Sequence, residues 1–160
     1  FDDSEINELY NHSKVKAMVS FTKGEGFGRP LLEFATTGKP IIASGWSGHI
    51  DFLKSDYNVL LPGVLENVHP SDANDWLIKE AKWFQVDNKT AISALRQVYK
   101  HYKDYLKRSR KQKQYIKENF SWKKMNQLVH SKLNNIPDIP VQVNLNMSKT
   151  VPGLPKLNKI

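Results

Sequence analysis

Glu25 and Glu33 stand eight positions apart in the stretch KGEGFGRPLLE, with Gly26, Phe27, Gly28, Arg29, Pro30, Leu31 and Leu32 between them. Glycine lets a backbone come close to a ligand, and Pro30 suits the opening turn of a helix, whose free N–H groups from Leu31 onward would form an anion site. Pro30 itself has no N–H to offer. The turn is thus a phosphate cradle in type. Its spacing is neither G-x-G-x-x-G nor G-x-x-x-x-G-K-[ST], which excludes both of those nucleotide-binding motifs. With a helix opening at Pro30, Glu33 lies in its first turn and Glu25 just before it, so both carboxylates are expected at one pocket. A second glycine loop, Gly45 to Gly48, carries Ser47 and leads to His49 and Asp51. Asp51 is the one potential metal ligand close to His49, and the chain has no cysteine, so neither a metal site nor thiol chemistry is expected.

Both loops need a scaffold, and open α/β sheets bind ligands at the carboxyl ends of their strands. The alternation of elements predicts such a sheet. Ser4 and Glu5 suit a helix start, with Ile6, Leu9 and Tyr10 at helical spacing until Asn11 to Lys14 breaks the pattern. Val15 to Phe21 reads as a strand apolar on both faces, and Leu31, Leu32, Phe34 and Ala35 form the buried stripe of a helix ended by Gly38 and Pro40. Ile41 to Ser44 is a second strand, Ile50 to Leu53 a helical turn, and Tyr57 to Leu61 a third strand before Pro62 and Gly63. Strand, glycine loop, helix and strand in repetition is the pattern of a doubly wound α/β fold. Helices are expected beyond it. One runs from a Ser71 N-cap, with Asp72 and Asp75 in its first turn and Trp76, Leu77, Ala81, Trp83 and Phe84 on one face. A second spans Lys89 to Glu118, and a third starts near Ser121 with Trp122, Met125, Leu128, Val129 and Leu133. From residue 134 to 160, four prolines and the alternation Val141, Val143, Leu145, Met147 read as an extended tail.

The 160 residues suffice for one domain with a core and not for two. No apolar run reaches the length of a membrane-spanning helix, and no signal-type segment is present, so the cytoplasm is the expected compartment. The formal charge of +8 is concentrated between Lys100 and Lys132, where eleven Lys or Arg face only Asp104 and Glu118. Ala91, Leu95, Val98, Tyr102, Tyr105 and Ile116 run beneath that charge at helical spacing, which places most of the cations on a solvated face. An anionic membrane surface is a secondary partner for this face, and nucleic acid a weaker one.

The stretch SFTKGEGFGRPLLEFATTGKPIIASGWSGHIDFL resembles the E-x7-E region of the retaining nucleotide-sugar glycosyltransferases of the large family 4, which have the GT-B architecture. EGFGRPLLEF, GKPIIAS and SGHID align without a gap on the family's E-G-F-G-x-P-x-x-E-A, G-x-P-V-I-A-S and G-G-x-x-E segments, and YIKENFSWKKMNQLV resembles its closing F-S-W helix. The likeness runs from Glu5 to Leu133. It implies a partial Rossmann-like parallel sheet within residues 1–133, the back part of the domain that binds the donor, a nucleoside-diphosphate sugar. Glu25 matches the carboxylate beside the donor sugar, and Glu33 the one that hydrogen-bonds the ribose hydroxyls. A single carboxylate can accept both hydroxyl protons of a diol. Gly26, Phe27, Gly28 and Arg29 match the loop near the sugar, and Leu31 and Leu32 match positions whose amides face the diphosphate. Where the family has G-G-x-x-E, this chain has Ser47, Gly48, His49, Ile50 and Asp51. Arg29 takes a position that is often apolar in the family.

The resemblance further implies a reaction without metal or other cofactor, and an acceptor domain and phosphate-binding cations placed ahead of the 24 residues that precede Glu25. On that reading the chain alone is inactive. Two other functions fit the residues: a module that holds a nucleotide sugar without turnover, and a basic interaction domain.

Overall fold

Short runs of aliphatic residues build the centre of the fold. The structure, a computed structural model, describes residues 1–135. Strands β1 (Met18–Ser20), β2 (Ile41–Ser44) and β3 (Val59–Leu61) form a parallel sheet in the order β1-β2-β3. Met18 pairs with Ile41 and Ser20 with Ala43, while Ile42 pairs with Val59 and Ser44 with Leu61. β2 is buried at every position, as a central parallel strand with both faces covered must be. Its side chains alternate between two cores. Ile41 and Ala43 join Leu31, Phe34, Phe52, Leu53 and Ile116 on one face; Ile42 joins Leu61, Phe84, Val86, Ala91 and Val98 on the other. The expected mixed α/β class is therefore present, with all three strands shorter than or equal to their sequence limits.

Helix α1 (Asp3–Asn11) precedes β1, and α2 (Arg29–Ala35) connects β1 to β2. The N-cap of α1 is Asp2, not Ser4: its carboxylate accepts the Glu5 amide at 2.8 Å while the Glu5 carboxylate accepts the Asp2 amide at 2.8 Å. Lys39 fastens the other end of α1, donating to the carbonyls of Tyr10 at 2.6 Å and His12 at 2.9 Å. Burial and then the nearby charge of Lys16 hold its ammonium below the usual lysine range. Between β2 and β3 the chain makes a 3-10 turn, Gly48–Asp51, in place of the helical turn expected at Ile50 to Leu53.

Residues 63–86 depart most from expectation. No α-helix starts at Ser71; strands β4 (Gly63–Asn67) and β5 (Lys82–Val86) form an antiparallel hairpin instead. The residues Trp76, Leu77, Ala81, Trp83 and Phe84 fit a helical face by spacing, but Trp83 to Val86 also alternate, and in the structure Phe84 and Val86 point inward. Pairing with Gly63–Asn67 decides between the two periods, since aromatic and β-branched residues suit a half-buried strand. The Asn74 side chain accepts the amides of Trp76 and Leu77, both at 2.9 Å, which closes a turn where the helix was expected. Ser71 is no N-cap, because it lies within the 3-10 turn Pro70–Asp72 capped by His69.

The single helix expected over 89–118 is two, α3 (Asn88–Lys100) and α4 (Tyr102–Asn119), which meet at His101. Neither glycine nor proline marks that joint. Beyond it Tyr102 donates to the Lys16 carbonyl at 3.1 Å. Ala91, Val98 and Ile116 are buried as expected, Leu95 is exposed against expectation, and Lys103, Lys107, Arg110, Lys111 and Lys117 lie exposed. Arg108 is different: it bonds the carbonyls of Asp56 at 2.9 Å and Ser55 at 3.3 Å. α5 (Trp122–Leu133) opens at Ser121, whose hydroxyl accepts the Lys124 amide at 3.3 Å, and none of its residues is buried. Among the described residues no helix is long and apolar enough to cross a membrane. The alternation Val141 to Met147 lies outside the described residues.

Candidate functional site

Two loops leave the carboxyl ends of β1 and β2 side by side, and hydrogen bonds fasten one to the other. The first, residues 21–28, carries Glu25; the second, residues 45–51, carries Ser47 and His49. The Ser47 hydroxyl accepts the Glu25 amide at 2.8 Å and donates to the Glu25 carbonyl at 2.6 Å. The Gly48 amide adds a bond to the same carbonyl at 3.1 Å. Two glycines make this approach possible. A Cβ on Gly48 would collide with the Gly26 carbonyl, and one on Gly28 would come within 2.9 Å of the His49 Cβ. Gly28 also has φ 84, which strains any residue with a side chain.

Ser47 has φ 85 and ψ −172, a region open essentially to glycine and disfavoured for other residues by about 1–3 kcal/mol. His49 is fully buried behind it. Its Nε2 lies 2.6 Å from the Ser44 carbonyl, which can only accept, so Nε2 carries the proton. His49 thus acts as a strut that ties the second loop to the end of β2. Among the described residues no group of three or more His, Asp or Glu stands close enough to hold a metal ion. Asp51 is exposed at the end of the 3-10 turn.

The hairpin β4–β5 supports the first loop from the other side. The Lys23 carbonyl accepts the Phe84 amide at 2.9 Å, and the Lys23 ammonium bonds the Gln85 side chain and lies 4.8 Å from the Trp83 ring centre. Trp46 of the second loop stacks on Phe84 with centroids 5.8 Å apart, and Phe27 packs on Phe52 at 5.1 Å. These supports were not foreseen in the sequence. The signal that could have revealed them is the alternation from Lys82 to Val86 facing a second run at Gly63 to Asn67.

Glu33 and Arg29 line a groove of about 250 Å³ between α1 and α2, together with Asp3, Asn7, Tyr10 and Thr37. Arg29 donates Nε–H to the Glu33 carboxylate at 2.6 Å, and that bond raises the guanidinium's proton affinity. Burial, then the Glu33 charge, raises the Tyr10 phenol above its ordinary value. Glu25 is not part of this groove. The expectation that both carboxylates face one pocket is therefore not met.

The expectation of free amides from Leu31 onward is also corrected. Leu31 and Leu32 both donate to the Gly28 carbonyl, at 3.0 and 3.1 Å, because the first turn of α2 closes on it. The amides of Gly26, Phe27 and Gly28 make no hydrogen bond among the described residues; Gly26 and Phe27 are exposed and Gly28 is buried, so the unpaired donors lie before the helix and not from Leu31 onward. Comparison with family models, with curated proteins and with solved structures finds no match.

Proposed function

We propose that this chain carries the donor-binding loops of a retaining glycosyltransferase, which moves a sugar from a nucleoside diphosphate to an acceptor with its anomeric configuration kept. The observation that supports this reading most is the pair of cross-fastened glycine loops at the carboxyl ends of β1 and β2. They leave three successive amides, Gly26 to Gly28, without an internal acceptor, those of Gly26 and Phe27 on exposed residues, in the turn that leads from Glu25 to the helix that carries Glu33.

Each group has a part in this reading. The unpaired amides of Gly26 and Phe27 hold the diphosphate and stabilise the charge that grows on it as the bond to the sugar breaks. Glu33 accepts the ribose hydroxyls in the groove beside α1, exchanging its bond to Arg29 for them. Glu25, part-buried and fixed through its main chain, stands beside the sugar. The resemblance calls for no metal or cofactor in these steps. The acceptor and the remaining phosphate ligands belong to a further domain in this proposal, so binding, not turnover, is the property to measure on the chain itself.

Calorimetric titration with UDP, GDP and ADP, and with UDP-glucose, GDP-mannose and ADP-glucose, tests the reading. One of the three nucleotides is expected to bind, Glu33→Gln to abolish that binding, and Glu25→Gln to remove only the gain contributed by the sugar. Absence of binding to all six compounds, or equal affinity in both variants, would refute it.

A further inference from the structure

Ser47 is the only non-glycine residue with positive φ among the described residues. An L side chain is disfavoured there by its own Cβ, yet this one performs a task that glycine cannot. Its single hydroxyl serves both polar groups of the Glu25 main chain, donating to the carbonyl at 2.6 Å and accepting the amide at 2.8 Å. One proton and two lone pairs allow both bonds at once. The arrangement replaces the backbone pairing that two adjacent strands would make, at a place where both chains have already left the sheet. It also depends on the strained conformation, because rotating Ser47 to an ordinary φ would swing Oγ away from Glu25.

We propose that Ser47 is a positioning residue, a clamp on the Glu25 main chain that sets where the Glu25 carboxylate stands for the sugar of a nucleoside-diphosphate donor. The clamp follows from the geometry of the two loops, whereas its purpose rests on the donor-site reading. Residue type separates the two contributions of Ser47. Ser47→Gly relieves the backbone and removes the hydroxyl. Ser47→Ala removes the hydroxyl and keeps the strain, and Ser47→Thr keeps both the hydroxyl and the strain.

The test is amide hydrogen exchange by NMR on the 160-residue chain and these three variants, with urea midpoints and the nucleotide titrations alongside. In Ser47→Gly and Ser47→Ala the Glu25 amide is expected to exchange roughly tenfold faster or more, while the Ile42 amide of β2 is unchanged. Ser47→Thr should keep the protection, and the midpoint of Ser47→Gly should lie above that of Ser47→Ala. Unchanged Glu25 exchange in both hydroxyl-free variants would overturn the clamp, and a midpoint for Ser47→Ala equal to or above that of Ser47→Gly would overturn the strain. If the purpose is as proposed, Ser47→Gly loses the extra affinity for the nucleotide sugar over the free nucleotide and keeps the latter. Retained sugar affinity in a variant with a loosened Glu25 would overturn the purpose. Failure of the unaltered chain to bind any of the nucleotides would remove the donor reading, and the exchange rates would still decide the clamp.

Discussion

Arg29 donates its Nε–H to Oε1 of Glu33 at 2.6 Å, across one turn of α2, so the carboxylate assigned to a ribose already has a cation for a partner. The pair is open to solvent, with side-chain exposures of 75% and 40%, and a diol can compete for the carboxylate there. The exposed setting makes the ion pair a matter of orientation more than of stability.

Replacing Arg29 by alanine should therefore leave the urea midpoint unchanged within error, while the carboxyl carbon resonance of Glu33 moves. A clear fall in the midpoint would show the pair to be a structural tie between the turns of α2, contrary to its exposure.

The two glycines that meet at the loop crossing should behave oppositely. Gly48→Ala places a Cβ against the Gly26 carbonyl, a backbone atom that cannot move aside, and is expected to destabilise the chain by about 2 kcal/mol or more. Gly26→Ala meets nothing within 4 Å and should change stability by no more than about 0.5 kcal/mol. Urea titration of both variants checks the pair, and a similar loss in the two would refute the crossing.

Gln112 is buried on α4 and ties that helix to the segment behind the second loop. Its amide donates to the Phe52 carbonyl at 2.7 Å, and its oxygen accepts the Lys54 amide at 3.1 Å and the Asn58 side chain at 2.8 Å. Gln112→Leu would leave those three groups without their partner, an expected loss of about 3 kcal/mol in denaturant titration. A loss under about 0.5 kcal/mol would mean that the network contributes little.

Asp87 caps α3, and the bonds from the Thr90 amide and hydroxyl hold its carboxyl below the ordinary aspartate value. A carboxyl whose folded pKa is depressed contributes stability that is present above its unfolded value and lost as pH falls through the folded one. The urea midpoint of the unaltered chain should therefore exceed that of Asp87→Ala near pH 7, and the difference should shrink on acidification below the ordinary aspartate value. A difference independent of pH would contradict the cap.

Much of the scaffold was legible because period and punctuation act locally. Ile41 to Ser44 reads as a buried strand and is one, and Ser121 caps a helix where a serine before Trp122 predicts it. The stretch from Lys82 to Val86 was not legible, since its residues fit both a helical and an alternating period until a partner strand chooses. Ser47 was hidden for another reason. Serine in a glycine loop looks ordinary, and only the fold shows that its backbone takes a conformation open essentially to glycine while its hydroxyl bonds the Glu25 main chain.

The sequence by itself determined the residue types, the two glycine loops and the parallel strands that present them, because hydrophobic period and glycine placement are properties of neighbours in the chain. Only the tertiary structure decided how those loops meet. It put Glu33 in a groove with α1 that Glu25 does not share, closed the amides of Leu31 and Leu32 into a helical turn, and left those of Gly26 to Gly28 unpaired. These outcomes depend on contacts between segments far apart in sequence, Glu25 with Ser47 and Lys23 with Phe84, and no local pattern encodes the energy of such a contact.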